Sequence, residues 1–370
     1  MRIAYFTDTY KPQINGVVRS IEGFEEELRK RGHEVFVFYP MTRKYVEDKY
    51  HIPVPSFTFP PYPEFRASII SFRLFNRTRK IKPDIIHVQT PASIGAGGLI
   101  VAKMLNIPTV AHYHTLLPEY FSYFLGKLQK SRTVIKYSTK IMWKYTKYFY
   151  NRADAIIVPT QAVKDMLKRY GIHRPIYVIP NIIRGKKLRK IPHKGINILH
   201  VGRLCKEKSI DIVIKEFAKI ERPGINLILT SDGPDRKRLE RLVETLGLKN
   251  VTFTGYISEN RLKRLYQLSD IFVSASKTET FGMVIAEAFK AGVPVVVFPA
   301  LGFRDIVIDK YNGIFVKKNS DISAAIEKLI GDKKLRQRLS AGAYKSMEQY
   351  CEKKLTDELI KVYTSVITRH

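Results

Sequence analysis

Short apolar runs of strand length alternate with longer amphipathic patterns along almost the whole chain, and this alternation constrains the fold more than any other feature. The stretch from 17 to 30, for example, places Val18, Ile21, Phe24 and Leu28 on one helical face. The strand candidates are 3–6, 34–39, 85–88, 109–113, 155–158 and 176–179 in the first half, and 196–201, 226–230, 251–254, 271–274 and 295–298 in the second. Such a repeat forms a parallel sheet covered by helices on both sides. The sequence therefore predicts the α/β class with doubly wound sheets.

A charged stretch rich in glycine and proline, from 184 to 195, interrupts the alternation near its middle. Because one core rarely serves more than roughly 250 to 300 residues, a chain of 370 residues needs two domains. We predict an N-terminal domain at 1–183, a linker at 184–195, a second domain at 196–345, and a C-terminal helix at 346–370 that packs back on the first domain. Since open parallel sheets bind ligands beyond the carboxyl ends of their strands, we expect two Rossmann-like domains that face each other across a cleft.

The charge balance indicates a polyanionic partner. The chain has 64 Lys and Arg against 34 Asp and Glu, a formal net charge of +30. Nucleic acid, an anionic membrane and a phosphate-rich ligand all fit this charge. The two cysteines, Cys205 and Cys351, are too few for a disulfide framework or a cysteine-based zinc site. No apolar run approaches a membrane span, and the first residues resemble a strand and not a signal peptide, so we expect a cytoplasmic location.

Two cations follow the predicted strand 196–201. Arg203 comes directly after Gly202, and Lys208 lies five residues further on, at the start of a helical pattern. At the carboxyl end of a parallel strand, two such cations and the amides of a helix start suit a diphosphate.

A second motif follows the strand 271–274. Glu279 precedes a helical pattern, and Glu287 lies about two turns into it. Carboxylates accept hydrogen bonds from sugar hydroxyls, so the two glutamates could bind two rings of one ligand. The backbone amides at the helix start are further candidate groups for binding a ligand, and they belong to Phe281, Gly282, Met283 and Val284.

In this order and spacing, the motifs resemble a family 4 glycosyltransferase of the GT-B fold, whose signature is two glutamates separated by seven residues. The similarity covers essentially the whole chain and includes the segments 8–10, 15–17, 112–115, 180–181 and 232–234. The resemblance implies that Arg203 and Lys208 bind the donor diphosphate and stabilise the leaving group. It also implies that Glu279 contacts the transferred sugar and that Glu287 binds the ribose hydroxyls.

The resemblance also assigns positions in the first domain. It implies that Gly16 brings the backbone near the diphosphate and that His114 lies beside the reacting sugar. It further implies transfer with retention of the anomeric configuration, with no cofactor and no metal. The residue that would assist the acceptor hydroxyl stays open, with Asp8 and Glu119 as candidates.

The chain departs from the family pattern at two places. Ser209 stands where a glycine usually follows the lysine, a change that need not disturb Lys208. The segment 301–305 replaces the usual glycine-rich loop that contains proline and glutamate, so the role of this loop stays open.

A basic and aromatic segment lies between Glu119 and Asp154, where no acidic residue occurs. Its helical pattern places four lysines on one face beside an aromatic and aliphatic stripe, and the candidate membrane or acceptor residues are Lys136, Lys140, Trp143, Lys144 and Lys147. A helix of this kind is typical of the headgroup region of an anionic membrane. The segment is similar to lipid glucosyltransferases that act on diacylglycerol. We therefore expect an enzyme at the inner face of the cell membrane that transfers a hexose, glucose first, from a nucleotide sugar to a lipid.

Several alternatives stay open at this point. UDP-glucose is the first expectation for the donor, and GDP-mannose is the second. The acceptor could instead be a soluble sugar or a polyprenyl-linked saccharide. A sugar-nucleotide epimerase of the same fold would leave the glutamate pair and the basic segment without a purpose. A nucleic-acid-binding protein would explain the charge, but no nucleic-acid motif accompanies it, and we expect no nucleic acid among the partners.

Overall fold

The computed structural model describes residues 1–13, 15–42, 47–59, 62–68, 72–118 and 131–370. Contacts divide the chain into two compact units: unit 1 is Met1–Arg184 with Cys351–His370, and unit 2 is Gly185–Tyr350. Each unit contains its own parallel sheet and hydrophobic core, which confirms the predicted α/β class with two Rossmann-like domains. Within the described ranges, no helix is both long and apolar enough to cross a membrane.

The sheet of unit 1 is parallel throughout its described strands. Their spatial order is His51–Val54, Glu34–Pro40, Arg2–Phe6, Ile85–Val88, Thr109–His112, Ala155–Val158 and Ile176–Val178. The inner strands are buried along nearly their whole length, as expected for a sheet covered on both faces. An antiparallel pair, Ser56–Phe59 with Tyr62–Ser68, stands outside this sheet.

The helices of unit 1 cover the two faces of the sheet. Those in the described ranges are Gly16–Lys30, Phe72–Ile81, Ser93–Leu105, Arg132–Tyr150, Gln161–Arg169 and Glu352–Arg369. The final helix packs against Gly16–Lys30, and its Leu359 and Tyr363 join Ile21 and Phe24 in one buried core. Unit 1 therefore includes a helix that follows unit 2 in the sequence.

Unit 2 repeats the architecture with one contiguous segment. Its parallel strands lie in the order Val251–Phe253, Ile225–Thr230, Ile196–Val201, Ile271–Ser274, Val295–Val297 and Gly313–Phe315. Its α-helices are Ile210–Phe217, Arg236–Thr245, Glu259–Gln267, Met283–Lys290, Phe303–Ile306, Asp321–Gly331 and Lys333–Ser346. The strand at Ile196–Val201 is central, so the loop that follows it lies at the middle of the carboxyl edge.

The segment expected to be a linker is bonded to unit 2. Leu188 N donates to Lys290 O over 2.8 Å, and Ile191 N donates to Gln267 O over 3.1 Å. Tyr344 Oη donates to Leu188 O over 2.6 Å. In the structure, the boundaries between the two units lie after Arg184 and after Tyr350. The sequence analysis placed the domain boundaries after residues 183, 195 and 345. The difference arises because composition marks breakers in the chain but not the backbone bonds that fix such a segment.

Candidate active site

Two predicted cations lie in the loop after the central strand of unit 2. One turn of 3-10 helix, Lys206–Lys208, precedes the Ile210–Phe217 helix. Arg203 Nη2 donates to Glu207 Oε1 over 3.2 Å, and the Glu207 carboxylate is buried. Glu207 therefore restrains the Arg203 guanidinium at the carboxyl edge of the sheet.

Ser209 ends this turn in the left-handed region, with φ 51° and ψ 41°. Glycine adopts that conformation without a steric penalty, and an L side chain does not. Ser209 therefore stands in a backbone conformation that favours the glycine usual at this position. The chain's departure at this position leaves the turn that carries Lys208 intact.

Lys208 and Glu279 form an ion pair at the same edge. Lys208 Nζ donates to Glu279 Oε1, and both side chains are mostly buried. Burial raises the pKa of the Glu279 carboxyl, but the charge and hydrogen bond of Lys208 outweigh it, so this pKa lies below its ordinary value. The site thus holds a fixed cation and a fixed carboxylate side by side.

His200 lies at the end of the same strand, and the sequence did not single it out. Its Nδ1 donates to Val273 O over 3.0 Å, which makes Nε2 the acceptor of a neutral ring. Burial lowers the pKa of His200 to about 4, and Lys208 lowers it while Glu279 raises it. Nε2 has no hydrogen-bond partner in the described part of the chain. The one signal for His200 in the sequence was a polar residue two positions before Gly202, at the end of an apolar strand.

The backbone around Glu279 is held by the loop whose role was open. Gly302 N donates to Glu279 O over 2.6 Å. A Cβ at Gly302 would lie 2.4 Å from Phe281 N, so only glycine fits there. Gly282 has φ 94° and precedes the Met283–Lys290 helix, and a Cβ on it would strike the Phe303 ring at 2.6 Å. The 301–305 loop therefore supports the site through its backbone.

Glu287 is oriented by a buried tyrosine. Tyr266 Oη lies 3.0 Å from Glu287 Oε2 and 3.2 Å from Val284 O. Tyr266 comes from the Glu259–Gln267 helix, so the contact depends on tertiary structure and was absent from the sequence prediction. Met283 and Val284 belong to the first helical turn, whose amides have no carbonyl partner within the helix, and their predicted contact with a ligand stays a prediction.

In unit 1, Gly16 begins the first helix. Asn15 Oδ1 accepts from Val18 N over 2.9 Å, and Asn15 Nδ2 donates to Thr9 Oγ1 over 2.9 Å. The cap fixes the loop that follows the Arg2–Phe6 strand. Gly16 therefore lies at the carboxyl edge of its own sheet, and its predicted proximity to the diphosphate stays a prediction.

His114 follows the Thr109–His112 strand and is buried. Its Nε2 lies 3.0 Å from Gln89 Oε1, and its ring stacks on His112 with centroids 3.8 Å apart. His112 stacks in turn on His87, whose Nδ1 lies 2.6 Å from Tyr363 Oη. Burial lowers the pKa of His114 to about 3, so the imidazole is neutral near pH 7. It can exchange hydrogen bonds with a sugar but carries no charge to it.

Asp8 is used by the fold. Its carboxylate accepts from Thr90 Oγ1 and Ser93 Oγ, and from the amides of Ile94 and Gly95, over 2.7 to 3.3 Å. These groups lie around the start of the Ser93–Leu105 helix, which the carboxylate caps. Asp8 is therefore a structural residue in this state. The other candidate for the acceptor base, Glu119, lies outside the described residues.

The Arg132–Tyr150 helix exposes the predicted basic stripe. Lys136, Lys140, Lys144 and Lys147 are exposed, as are the neighbouring Tyr137, Ile141 and Tyr148. At 100° per residue, these seven positions share an arc of about 140°. One face of the helix thus presents cations and apolar groups together to solvent.

Trp143 lies beside this face, partly buried. Its ring stacks on Tyr170 with centroids 3.5 Å apart and an interplanar angle of 4°. The contact ties the Arg132–Tyr150 helix to the end of the Gln161–Arg169 helix. The structure therefore gives Trp143 a packing contact, and its predicted part in lipid binding stays a prediction.

Comparisons with known proteins agree with these motifs. Residues 14–187 match the family described as Glycosyltransferase Family 4, and residues 184–346 match Glycosyl transferases group 1. The chain is 31% identical over 352 residues to an alpha-monoglucosyldiacylglycerol synthase of Streptococcus pneumoniae, covering 88% of this chain and 77% of that protein. It is 28% identical over 393 residues to the synthase of the same name from Acholeplasma laidlawii, covering 100% and 98%.

Other relatives carry a different name. A GDP-mannose-dependent alpha-mannosyltransferase of Mycobacterium tuberculosis is 28% identical over 390 residues, covering 99% of this chain and 97% of that protein. Among solved structures, the sucrose-phosphate synthase of Thermosynechococcus elongatus superposes with a TM-score of 0.79 at 20% identity and full coverage of both chains. That likeness shows a common GT-B fold. The chain belongs to the family 4 glycosyltransferases and is a hexosyltransferase.

Proposed function

We propose that this enzyme transfers glucose from UDP-glucose to a membrane lipid of the diacylglycerol type. The exposed basic and apolar face of the Arg132–Tyr150 helix carries the lipid part of the proposal. The names of the two synthases, which refer to glucosyldiacylglycerol, support it. The enzyme would act peripherally, at the inner face of the cell membrane.

The donor would be bound mainly by unit 2. Arg203 and Lys208 would contact the diphosphate, Glu279 would accept hydrogen bonds from the transferred hexose, and Glu287 would accept those of the ribose. Backbone amides around Gly282 would add donors for anionic or hydroxyl oxygens. The ion pair between Lys208 and Glu279 supports these assignments because it fixes a cation and a hydroxyl acceptor next to each other.

The reaction breaks the bond between the anomeric carbon and the diphosphate oxygen and forms a bond to the acceptor hydroxyl oxygen. Positive charge develops on the sugar, while negative charge collects on the departing diphosphate. Fixed cations such as Arg203 and Lys208 stabilise that charge without reorganisation during the reaction. The acceptor oxygen attacks the anomeric carbon from the face that the diphosphate leaves, so the anomeric configuration is retained, and the acceptor proton passes to the departing diphosphate. His114, neutral and buried, would bind a hydroxyl of the hexose from unit 1.

A mannosyl transfer from GDP-mannose is the second candidate. The name of the mycobacterial relative, which matches almost the whole chain, favours it. The residues that carry the diphosphate and the sugar would serve either donor, so the site described above does not discriminate between them.

A radiolabel transfer assay tests the proposal. UDP-glucose and GDP-mannose are offered separately with anionic vesicles that contain diacylglycerol, and lipids are then extracted. Label from UDP-glucose in the organic phase is the expected result. Label from GDP-mannose in the organic phase would identify GDP-mannose as the donor. A labelled aqueous product other than the nucleotide sugar, with no label in the organic phase, would identify a soluble acceptor. The matched control is Glu279→Gln, which should abolish transfer of either label.

A further inference from the structure

Unit 1 divides its charge unevenly along the sequence. From Arg66 to Arg184 there are 20 Lys and Arg and only 4 Asp and Glu. The rest of the unit, residues 1–65 and 351–370, has 13 Lys and Arg and 12 Asp and Glu. Nearly all the positive excess of unit 1 therefore belongs to one continuous part of the chain.

The topology puts that part on one face. The strands Ile85–Val88, Thr109–His112, Ala155–Val158 and Ile176–Val178 are successive neighbours in the sheet. Parallel crossovers are right-handed, so the helices between these strands all lie on the same side. The crossover through Gly16–Lys30 runs in the opposite direction across the sheet and therefore covers the other side, where the final helix packs against it.

On the described helices of unit 1, exposed apolar side chains follow the same division. On the basic side, Ile100 is 51% exposed and Met104 is 60% exposed, and exposed Lys103 lies between them on the Ser93–Leu105 helix. Phe72 is exposed on the Phe72–Ile81 helix, which packs against that helix. On the described residues of Gly16–Lys30 and Glu352–Arg369, no large apolar side chain is exposed. One side of unit 1 is thus basic and apolar, and the other is close to neutral and polar.

We propose that the docking surface is the part of this helical layer formed by Phe72–Ile81, Ser93–Leu105 and Arg132–Tyr150, and that its partner is an anionic lipid bilayer. The inference rests on the proposed lipid-directed function and adds a second apolar contact, Ile100 and Met104, to the helix predicted from the sequence. Lysines and arginines bind the lipid headgroups, while the apolar side chains enter the boundary with the acyl chains. Contacts on more than one helix fix the orientation of unit 1 on the membrane, which a single helix leaves free to rotate.

The composition of the second contact, Ile100 and Met104, favours lipid over nucleic acid. Single-stranded nucleic acids bind through cations together with aromatic platforms on which bases stack. The second contact consists of isoleucine and methionine, which offer no aromatic platform but enter an acyl layer readily. Charge complementarity and aliphatic exposure therefore agree on an anionic bilayer.

The test is co-sedimentation of the full-length protein with vesicles of phosphatidylcholine and phosphatidylglycerol at physiological salt. The double variant Ile100→Ser/Met104→Ser should partition about tenfold more weakly, from the loss of apolar burial. Ile141→Ser on the predicted helix should weaken partitioning too. The control is Ile308→Ser, which removes a 55% exposed isoleucine from unit 2 and should change nothing. Circular dichroism and the thermal midpoint check that each variant folds.

The outcomes separate the two proposals. Unchanged partitioning of the double variant, together with a loss for Ile141→Ser, overturns the wide surface and leaves the lipid function standing. If the wild-type protein ignores vesicles but glucosylates diacylglycerol in detergent micelles, the docking surface fails and the enzymatic proposal survives. Failure of both assays removes the lipid function itself. Tighter binding to single-stranded RNA than to vesicles, unaffected by the double variant, would also overturn the inference.

Discussion

The predicted donor site of unit 2 and the basic Arg132–Tyr150 helix of unit 1 present their charged groups in opposite ways. In unit 2, the predicted donor residues are paired internally: Lys208 with Glu279, Arg203 with Glu207, and Glu287 with Tyr266. In unit 1, the lysines of the Arg132–Tyr150 helix are exposed to solvent, while His114 is buried and neutral. A small ligand with a defined shape needs groups fixed in advance, whereas a fluid surface of lipid headgroups needs only charge and apolar contact.

The largest expected effect comes from removing one of the paired cations of the predicted donor site in unit 2. Lys208→Met should lower kcat/KM for transfer by about a hundred- to a thousandfold, because it removes a fixed cation from the leaving diphosphate. Lys206→Met, an exposed lysine in the same turn, is the matched control and should retain activity. Steady-state transfer rates measure both variants. Equal losses for the two would show that general positive charge, and not the fixed pair, serves the donor.

Acidification should affect the two units unequally. His87, His112 and His114 in unit 1 and His200 in unit 2 have lowered pKa values caused first by burial, so each binds more protons when unfolded. Stability is then fully present above the unfolded pKa of about 6.5 and falls as the pH drops, by roughly 1 kcal/mol per histidine between pH 7 and 5.5. His51, whose pKa is raised first by its hydrogen bond to Glu25, has the opposite sign and offsets at most one of these losses.

Hydrogen exchange at pH 7 and pH 5.5 measures this difference, after correction for intrinsic exchange rates. Peptides from Ile85–Val88 report on unit 1, and peptides from Ile271–Ser274 report on unit 2. We expect a larger loss of protection in unit 1. Equal losses would mean that the histidine stack in unit 1 does not stay neutral.

A smaller effect is expected from removing the hydrogen bond that orients Glu287 in unit 2. Tyr266→Phe removes the hydrogen bond to Glu287 and should raise the KM for the donor about five- to tenfold with little change in kcat, the loss expected for one bond of about 1 kcal/mol. Tyr256→Phe, on an exposed side chain of the same unit, is the control. A fall in kcat with an unchanged KM would instead place Glu287 in the chemical step.

The smallest effect concerns the backbone under Lys208. Ser209→Gly should raise the free energy of unfolding by less than about 1 kcal/mol, because glycine adopts a positive φ without strain. Ser320→Gly, at a φ of −61°, is the control and should give no gain. Urea denaturation measures both. A loss of stability in Ser209→Gly would mean that the serine side chain contributes more than its conformation costs.

The sequence predicted the architecture well because alternating apolar runs reflect local geometry. The helix expected at 17–30 begins one residue earlier, at Gly16, and the central strands of both sheets lie where they were predicted. The edge strands His51–Val54 and Gly313–Phe315 were missed, since a short edge strand depends on its neighbour more than on its own pattern.

The sequence predicted only part of the candidate site. Motif spacing indicated Arg203, Lys208 and Glu279 as site residues, and the structure brings Lys208 and Glu279 into direct contact. Tyr266 and His200 could not be found, because their partners come from elements distant in sequence. Gln89 was not predicted for the same reason, since it follows one strand and its partner His114 follows another.

The position of the final helix has a consequence for the order in which the molecule matures on the ribosome. Unit 2 is one uninterrupted segment, so it can fold as soon as Tyr350 has emerged. The synthesis of unit 1 begins first, but its core is completed only by Leu359 and Tyr363, which follow unit 2 in the sequence. Tyr363 also contacts His87, at the far end of the ring stack that leads to His114. The unit whose synthesis begins first is therefore completed after unit 2, and its histidine acquires its surroundings only when the helix that follows unit 2 has been made.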